Sequence, residues 1–198
     1  MRARALAVLV TTICFAAAPA LAAASTGGAG ATRAKQAAPV DPAAGVAAGG
    51  AAFAPPPTRP TVPGDVGVIR GGIAYAPAAA PVEVQRAIWA ANRLQHKPYV
   101  YGGGHRSFRS SGYDCSGTVS YALHGGGLLD SPLDSSSFMT WGERGRGAWI
   151  TVYTNPGHAW MIIAGLRLDT SGPGESGPRW RTEKRSTRGY RARHPLSL

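Results

Sequence analysis

At 198 residues, with 44% hydrophobic and 16% charged residues, the chain is too long for a peptide scaffold and has room for one domain plus an accessory segment. Two cysteines, Cys14 and Cys115, and five scattered histidines exclude a disulfide framework and offer no paired ligand spacing for zinc. A formal charge of +11 points to polyanionic partners.

Residues 1–24 open on Arg2 and Arg4, continue as an apolar run from Ala5 to Ala18 and end in small residues at Ala20, Ala22 and Ala24. That is the layout of a cleavable secretory signal, so the protein is expected to be secreted. Thr11, Thr12 and Pro19 interrupt the run and leave it short of the ~20 residues a membrane span needs. Removing the signal leaves Cys115 as the single cysteine of the mature chain. Residues 25–80 are mostly Ala, Gly and Pro, too poor in large apolar side chains to offset their ordering entropy, and are expected to form a disordered tether. A short strand near Val66 to Tyr75 is the one element expected within it.

The folded domain is expected over 81–198. Val84, Ile88, Ala91 and Leu94 recur at helical spacing between Pro81 and Pro98, which predicts a helix over 82–95. A second helix is predicted from Cys115 to about His124, stopped by Gly125-Gly126-Gly127. Beyond it come short runs rich in β-branched and aromatic residues at 149–153, 159–163, 166–168 and 189–193, read as strands. Helices first and strands after give an α+β class, with the helices packed on an antiparallel sheet.

A Gly-Tyr-Asp turn, Gly112-Tyr113-Asp114, delivers Cys115 to the first turn of the second helix, where free N–H groups and the helix dipole favour a negative sulfur. Val119 and Leu123 follow at steps of four, so the face carrying the sulfur also packs inward. Whatever Cys115 reacts through must lie on the element that this helix packs against. A cysteine nucleophile needs a base and a third group that orients the base. His158 is the leading candidate base, because Asn155-Pro156-Gly157 makes a turn and His158 opens the next strand. If Ala164-Gly165 is a two-residue hairpin turn, 163 faces 166 and 160 faces 169, and residues 158, 160, 169 and 171 share one face. Asp169 then lies diagonally across from His158, where a carboxylate fixes the tautomer. His194 is the alternative orienting residue. His96, His105 and His124 sit beside turns or at a helix end and are expected as solvated surface residues. Seven basic residues against Glu183 between Arg179 and Arg193 read either as a solvated hairpin or as a site for anionic wall polymers or membrane surfaces, in preference to nucleic acid.

Pro98-Tyr99-Val100-Tyr101-Gly102-Gly103, the Asp114-Cys115-Ser116-Gly117 core and the Gly157-His158 strand together resemble the signature of the NlpC-type peptidoglycan peptidases, which are papain-like cysteine hydrolases. The resemblance covers roughly 81–198. It implies a papain-like NlpC-type fold, Cys115 as nucleophile, His158 as base, Tyr99 near the oxyanion, and Asp114 and Ser116 lining the pocket that holds the free amine of the peptide. The family's third polar residue follows the base by about a dozen positions, which matches Asp169, and the tail from Tyr190 to His194 resembles its closing strand, which implies a structural role for His194. The implied activity is cleavage of an amide bond in the peptidoglycan stem peptide, a D-γ-glutamyl link to a diamino acid, by a monomer through a thioester and without cofactor or metal. A same-fold acyl or peptidyl transferase and a non-catalytic, basic wall-binding module are the alternatives. The chain departs from the family pattern in about four extra residues near His105 to Ser111, in lacking a Pro-Gly-Asp turn before the base strand, and in a loop at 172–178.

Overall fold

A computed structural model describes residues 59–174, 176–196 and 198. The expected secretory signal, and the tether as far as residue 58, lie outside the described residues. Among the described residues, no helix is long and apolar enough to cross a membrane.

Folded structure begins earlier than residue 81, which corrects the expected tether over residues 59–80. Strands β1 (Thr61–Val62), β2 (Val68–Arg70) and β3 (Ile73–Pro77) form a small sheet in the order β1-β3-β2. β1 runs parallel to β3, and β2 is antiparallel to it. Arg70 faces Ile73 across Gly71 and Gly72, both at positive φ (56° and 78°); this two-residue turn matches strand twist and is open to glycine at both positions. Strands β2 and β3 fall where one short strand near 66–75 was expected; composition hid the rest of the sheet, since alanine suffices at buried positions such as Ala74 and Ala76.

Helix α1 (Val82–Asn92) buries Val84, Ala87, Ile88 and Ala91, one stripe at the 3.6-residue period. Helix α2 (Cys115–Gly125) buries Val119, Ala122 and Leu123 in the same way. Small residues set how closely the two approach: a Cβ on Gly125 would lie 2.2 Å from Ala90 Cβ, and one on Gly126 would lie 2.6 Å from the Glu83 carbonyl oxygen. A one-turn helix α3 (Ser135–Phe138), capped by Asp134, follows.

The main sheet has six strands: β4 (Glu143–Arg144), β5 (Ile150–Asn155), β6 (His158–Ile163), β7 (Leu166–Asp169), β8 (Arg179–Arg181) and β9 (Arg191–His194). Their order is β4-β9-β5-β6-β7-β8, and each adjacent pair is antiparallel. The class is thus α+β, as helices followed by strands predicted. Ile150, Val152, Ala159, Met161, Ile163 and Leu168 are fully buried in the core that the helices cover. By strand alternation Tyr153, Trp160, Arg167 and Asp169 lie on the opposite face, and they are buried too. The stretch after β8 covers them, with Tyr190 edge-on to Trp160 at 5.9 Å. β4, β8 and α3 were not among the predicted elements; none carries the run of β-branched and aromatic residues, or the helical period, that marked the others.

Asn92 joins the N-terminal sheet to the rest. Its side-chain NH2 donates to the Ala74 carbonyl, and its Oδ1 accepts from the Ala74 N–H (both 2.9 Å) and from Trp180 Nε1 (2.8 Å). Asn92→Ala removes three bonds at once and strands polar groups on a buried residue, so it should lower stability by about 1–3 kcal/mol. Chemical denaturation of the wild type and the variant measures that difference.

Candidate active site

The N-terminus of α2 is built by a carboxylate and a set of glycines. Asp114 caps the helix, its Oδ1 accepting from the Gly117 N–H at 2.8 Å. Its Oδ2 accepts from the Gly102 N–H at 3.0 Å, and its own N–H donates to the Gly103 carbonyl at 3.2 Å. One side chain therefore ties the 98–103 turn to the helix end. Tyr99 and Tyr113 form an isolated parallel bridge that holds the same turn from the other side. The approach requires glycine: a Cβ on Gly117 would stand 2.0 Å from the Gly103 carbonyl oxygen.

Cys115 is the first residue of α2, buried to 8% exposure and free of any disulfide. It sits where the N–H groups of a helix lack intrahelical partners and the dipole favours negative charge. His158 opens β6, its backbone N–H held by Asn155 Oδ1 at 2.9 Å. The hairpin register places 163 opposite 166 and 161 opposite 168 around Ala164 and Gly165, both at positive φ. That register carries Asp169 to the His158 side of the sheet, and His158 Nε2 lies 3.0 Å from Asp169 Oδ1. Desolvation works against a charged imidazole here, but hydrogen bonds to Asp169 and Cys115 and the charges of both outweigh it, and the His158 pKa is pushed up to about 9. With Asp169 on Nε2, the other ring nitrogen is the one left for the thiol.

Asp169 is itself 1% exposed and heavily supported. Its Oδ1 accepts from the Ser171 N–H at 3.0 Å, its Oδ2 accepts from Arg185 Nη1 at 3.0 Å, and Arg167 Nε stands 3.6 Å from Oδ2. Burial alone would raise its pKa; the His158 hydrogen bond, the Ser171 amide and the His158 and Arg185 charges lower it on balance. Arg185 also donates to Tyr190 Oη at 2.8 Å and lies over the rings of Trp160 and Tyr190. Tyr99 is 40% exposed; its hydroxyl pKa is raised, by desolvation first and then by the charges of Cys115, Asp114 and Tyr101, which keeps it a proton donor.

Cys115, His158 and Asp169 are thus brought together, the imidazole interacting with both the thiol and the carboxylate, and Tyr99 lies within electrostatic reach of the sulfur. His194 is not part of it: its Nε2 lies 3.7 Å from Glu143 Oε2 and its Nδ1 is 2.9 Å from the Pro195 carbonyl. His96 and His124 are exposed, the latter stacked on Phe108 at 3.7 Å. His105 corrects the expectation of a solvated surface ring. Its Nε2 lies 2.9 Å from Asp114 Oδ2 and 3.0 Å from Ser116 Oγ, over the two residues the resemblance assigns to the amine pocket. The loop carrying His105 is pinned by Tyr113, whose hydroxyl donates to the Phe108 carbonyl at 2.7 Å. Sequence reasoning gave no role at the site to Arg167, Ser171, Arg185 or Tyr190; the hairpin register puts 171 on the His158 face, and the density of basic residues in 179–193 is the signal for Arg185. Among the described residues, no three His, Cys, Asp or Glu side chains cluster so as to hold a metal ion.

No family model matches the chain, and no curated protein matches it. Among solved structures it is similar to the peptidoglycan hydrolase RipB of Mycobacterium tuberculosis, at 22% identity and a TM-score of 0.44, over 57% of this chain and 64% of that one. It is similar also to the resuscitation promoting factor interacting protein RipA, at 22% identity and a TM-score of 0.43, over 59% of this chain and 66% of that one. The P60 domain of an antigen from M. avium subspecies paratuberculosis is a third, at 20% identity and a TM-score of 0.40, over 56% of this chain and 93% of that one. The chain spans less than two thirds of the length of RipB and of RipA.

The His158 pKa, raised from an ordinary 6.5 to about 9, has a thermodynamic consequence. The imidazolium's contribution to stability is fully present below pH ~6.5 and is lost as pH rises through about 9. NMR titration of the His158 ring should show a midpoint near 9 in the wild type and a clear fall toward 6.5 in Asp169→Asn. The wild-type loss of stability between pH 6.5 and 9 should shrink in the same variant.

Proposed function

We propose that this protein is a secreted cysteine peptidase of the NlpC type that hydrolyses an amide bond in the peptidoglycan stem peptide. The observation that carries the reading is the line Cys115–His158–Asp169, in which a buried carboxylate holds one imidazole nitrogen and leaves the other to a thiol at a helix N-terminus. The motifs around Tyr99, Asp114 and Ser116 supply the substrate class. They point to a D-γ-glutamyl link to a diamino acid, with the free amine of the peptide received at Asp114 and Ser116. His105 already occupies those two side chains, so an incoming ammonium must share the Asp114 carboxylate with the imidazole or displace it.

In the proposed mechanism the Cys115 thiolate attacks the scissile carbonyl carbon, and the carbonyl oxygen takes up the negative charge. The Cys115 backbone N–H and the Tyr99 hydroxyl donate to that oxyanion. His158, protonated at neutral pH, gives its proton to the departing amine nitrogen as the C–N bond breaks, leaving a thioester on Cys115. The now neutral ring takes a proton from water, whose oxygen attacks the thioester carbonyl. The C–S bond then breaks, the carboxylate product leaves, and the thiolate–imidazolium pair is restored. Asp169 stays ionised throughout and stabilises the imidazolium.

Incubating the protein with purified muropeptides and weighing the products tests this. Wild-type protein should yield two fragments whose masses sum to the substrate plus one water, and Cys115→Ala should yield none. A joined product would show a transferase, and undiminished cleavage by Cys115→Ala would remove the proposal. Tyr99→Phe, which deletes one oxyanion donor, should lower kcat about 10²–10³-fold while the protein stays folded.

A further inference from the structure

We propose that the face formed by β4, β9 and the end of α3 binds a phosphate group through Arg144, Arg191 and Arg193. Met139, Thr140 and Ala192 complete the lining of a cavity of about 400 Å³ there. The three arginines gather on one side of the sheet for a topological reason. Arg144 is directly opposite Arg193 in the antiparallel β4–β9 register, and Arg191 is two residues along the same strand, on the same face. Arg193 is only 7% exposed, and its buried Nε has no hydrogen-bond partner. Among the described residues, no carboxylate lies within ion-pair distance of any of the three guanidinium groups. The one acid on these strands, Glu143, is opposite His194 on the other face and pairs with it there.

Left alone, this arrangement is unfavourable on two counts. Like charges directly across an antiparallel ladder repel, and a buried charge without a partner carries its full desolvation penalty. A lysine would escape by losing its proton, but a guanidinium remains charged. An oxyanion removes both penalties at once. Guanidinium forks match phosphate oxygens in pairs of parallel hydrogen bonds, and three positive charges around one cavity favour a phosphate over a single carboxylate. The volume leaves room for the group to which the phosphate is esterified. This site uses none of the residues placed around Cys115, and it stands or falls separately from the hydrolase reading.

Isothermal titration of the full chain at constant ionic strength, with inorganic phosphate in one arm and a poly(glycerol phosphate) oligomer in the other, tests the site and separates a free anion from a polymer phosphodiester. The wild type should bind saturably, with tighter binding of the oligomer if the source is a polymer and equal or tighter binding of free phosphate if it is not. Arg193→Met and Arg144→Gln should each weaken binding at least about tenfold, roughly 1.4 kcal/mol. In phosphate-free buffer Arg193→Met should melt no lower than the wild type, because it removes an uncompensated buried charge; with phosphate added, the wild type should melt higher by several degrees. Should Arg193→Met fail to fold, the exposed variants Arg144→Gln and Arg191→Gln carry the test. Absence of saturable binding in both arms, or unchanged affinity in the variants, overturns the proposal.

Discussion

The buried carboxylate of Asp169 is the constraint on which the site depends. At 1% exposure, it keeps its charge only because cations and donors reach it from three separate stretches of chain: His158 on β6, Arg167 on its own strand, and Arg185 beyond β8. A carboxylate buried without them would take up a proton. The same contacts therefore hold the imidazole at the helix end and draw the stretch after β8 down over the outer face of the sheet. Arg185 adds to this by lying over Trp160 and Tyr190, and Tyr190 stands edge-on to the imidazole.

A second carboxylate organises the opposite half. Asp114 spends its oxygens on the Gly102 and Gly117 amides and on His105, and this joins the 98–103 turn to the start of α2. The two imidazole–carboxylate pairs differ in their surroundings. The His158 side chain is 18% exposed and faces a carboxylate of zero exposure, whereas the His105 side chain is 33% exposed and rests on a helix cap. The first pair is sheltered, with its far side turned to the sulfur. The second borders solvent.

Local rules governed what was legible. The Gly-Tyr-Asp turn before Cys115 gave the helix start, because a turn acts within a few residues of itself. The hairpin at Ala164-Gly165 gave the 158/169 pairing, because a two-residue turn sets every later pair of an antiparallel ladder. His105 and Arg185 were not legible. Each meets its partner across a loop of 9 to 16 residues whose course no local propensity dictates. The small N-terminal sheet was legible only as a strand near residues 66–75: its strands are short, and their alanines carry no hydrophobic period.

The amino-acid sequence on its own determined where α1 and α2 begin, which face of the β6–β7 hairpin carries the imidazole and the carboxylate, and that one cysteine stands at a helix N-terminus. Each of these rests on an interaction spanning a handful of residues. Tertiary structure alone decided that His194 lies beside Glu143 and away from His158, that Arg185 closes over the Asp169 carboxylate, that His105 covers Asp114 and Ser116, and that Arg144 faces Arg193. These depend on the order of strands in the sheet and on the paths of loops, which are fixed only when the buried surface of the whole domain is assembled.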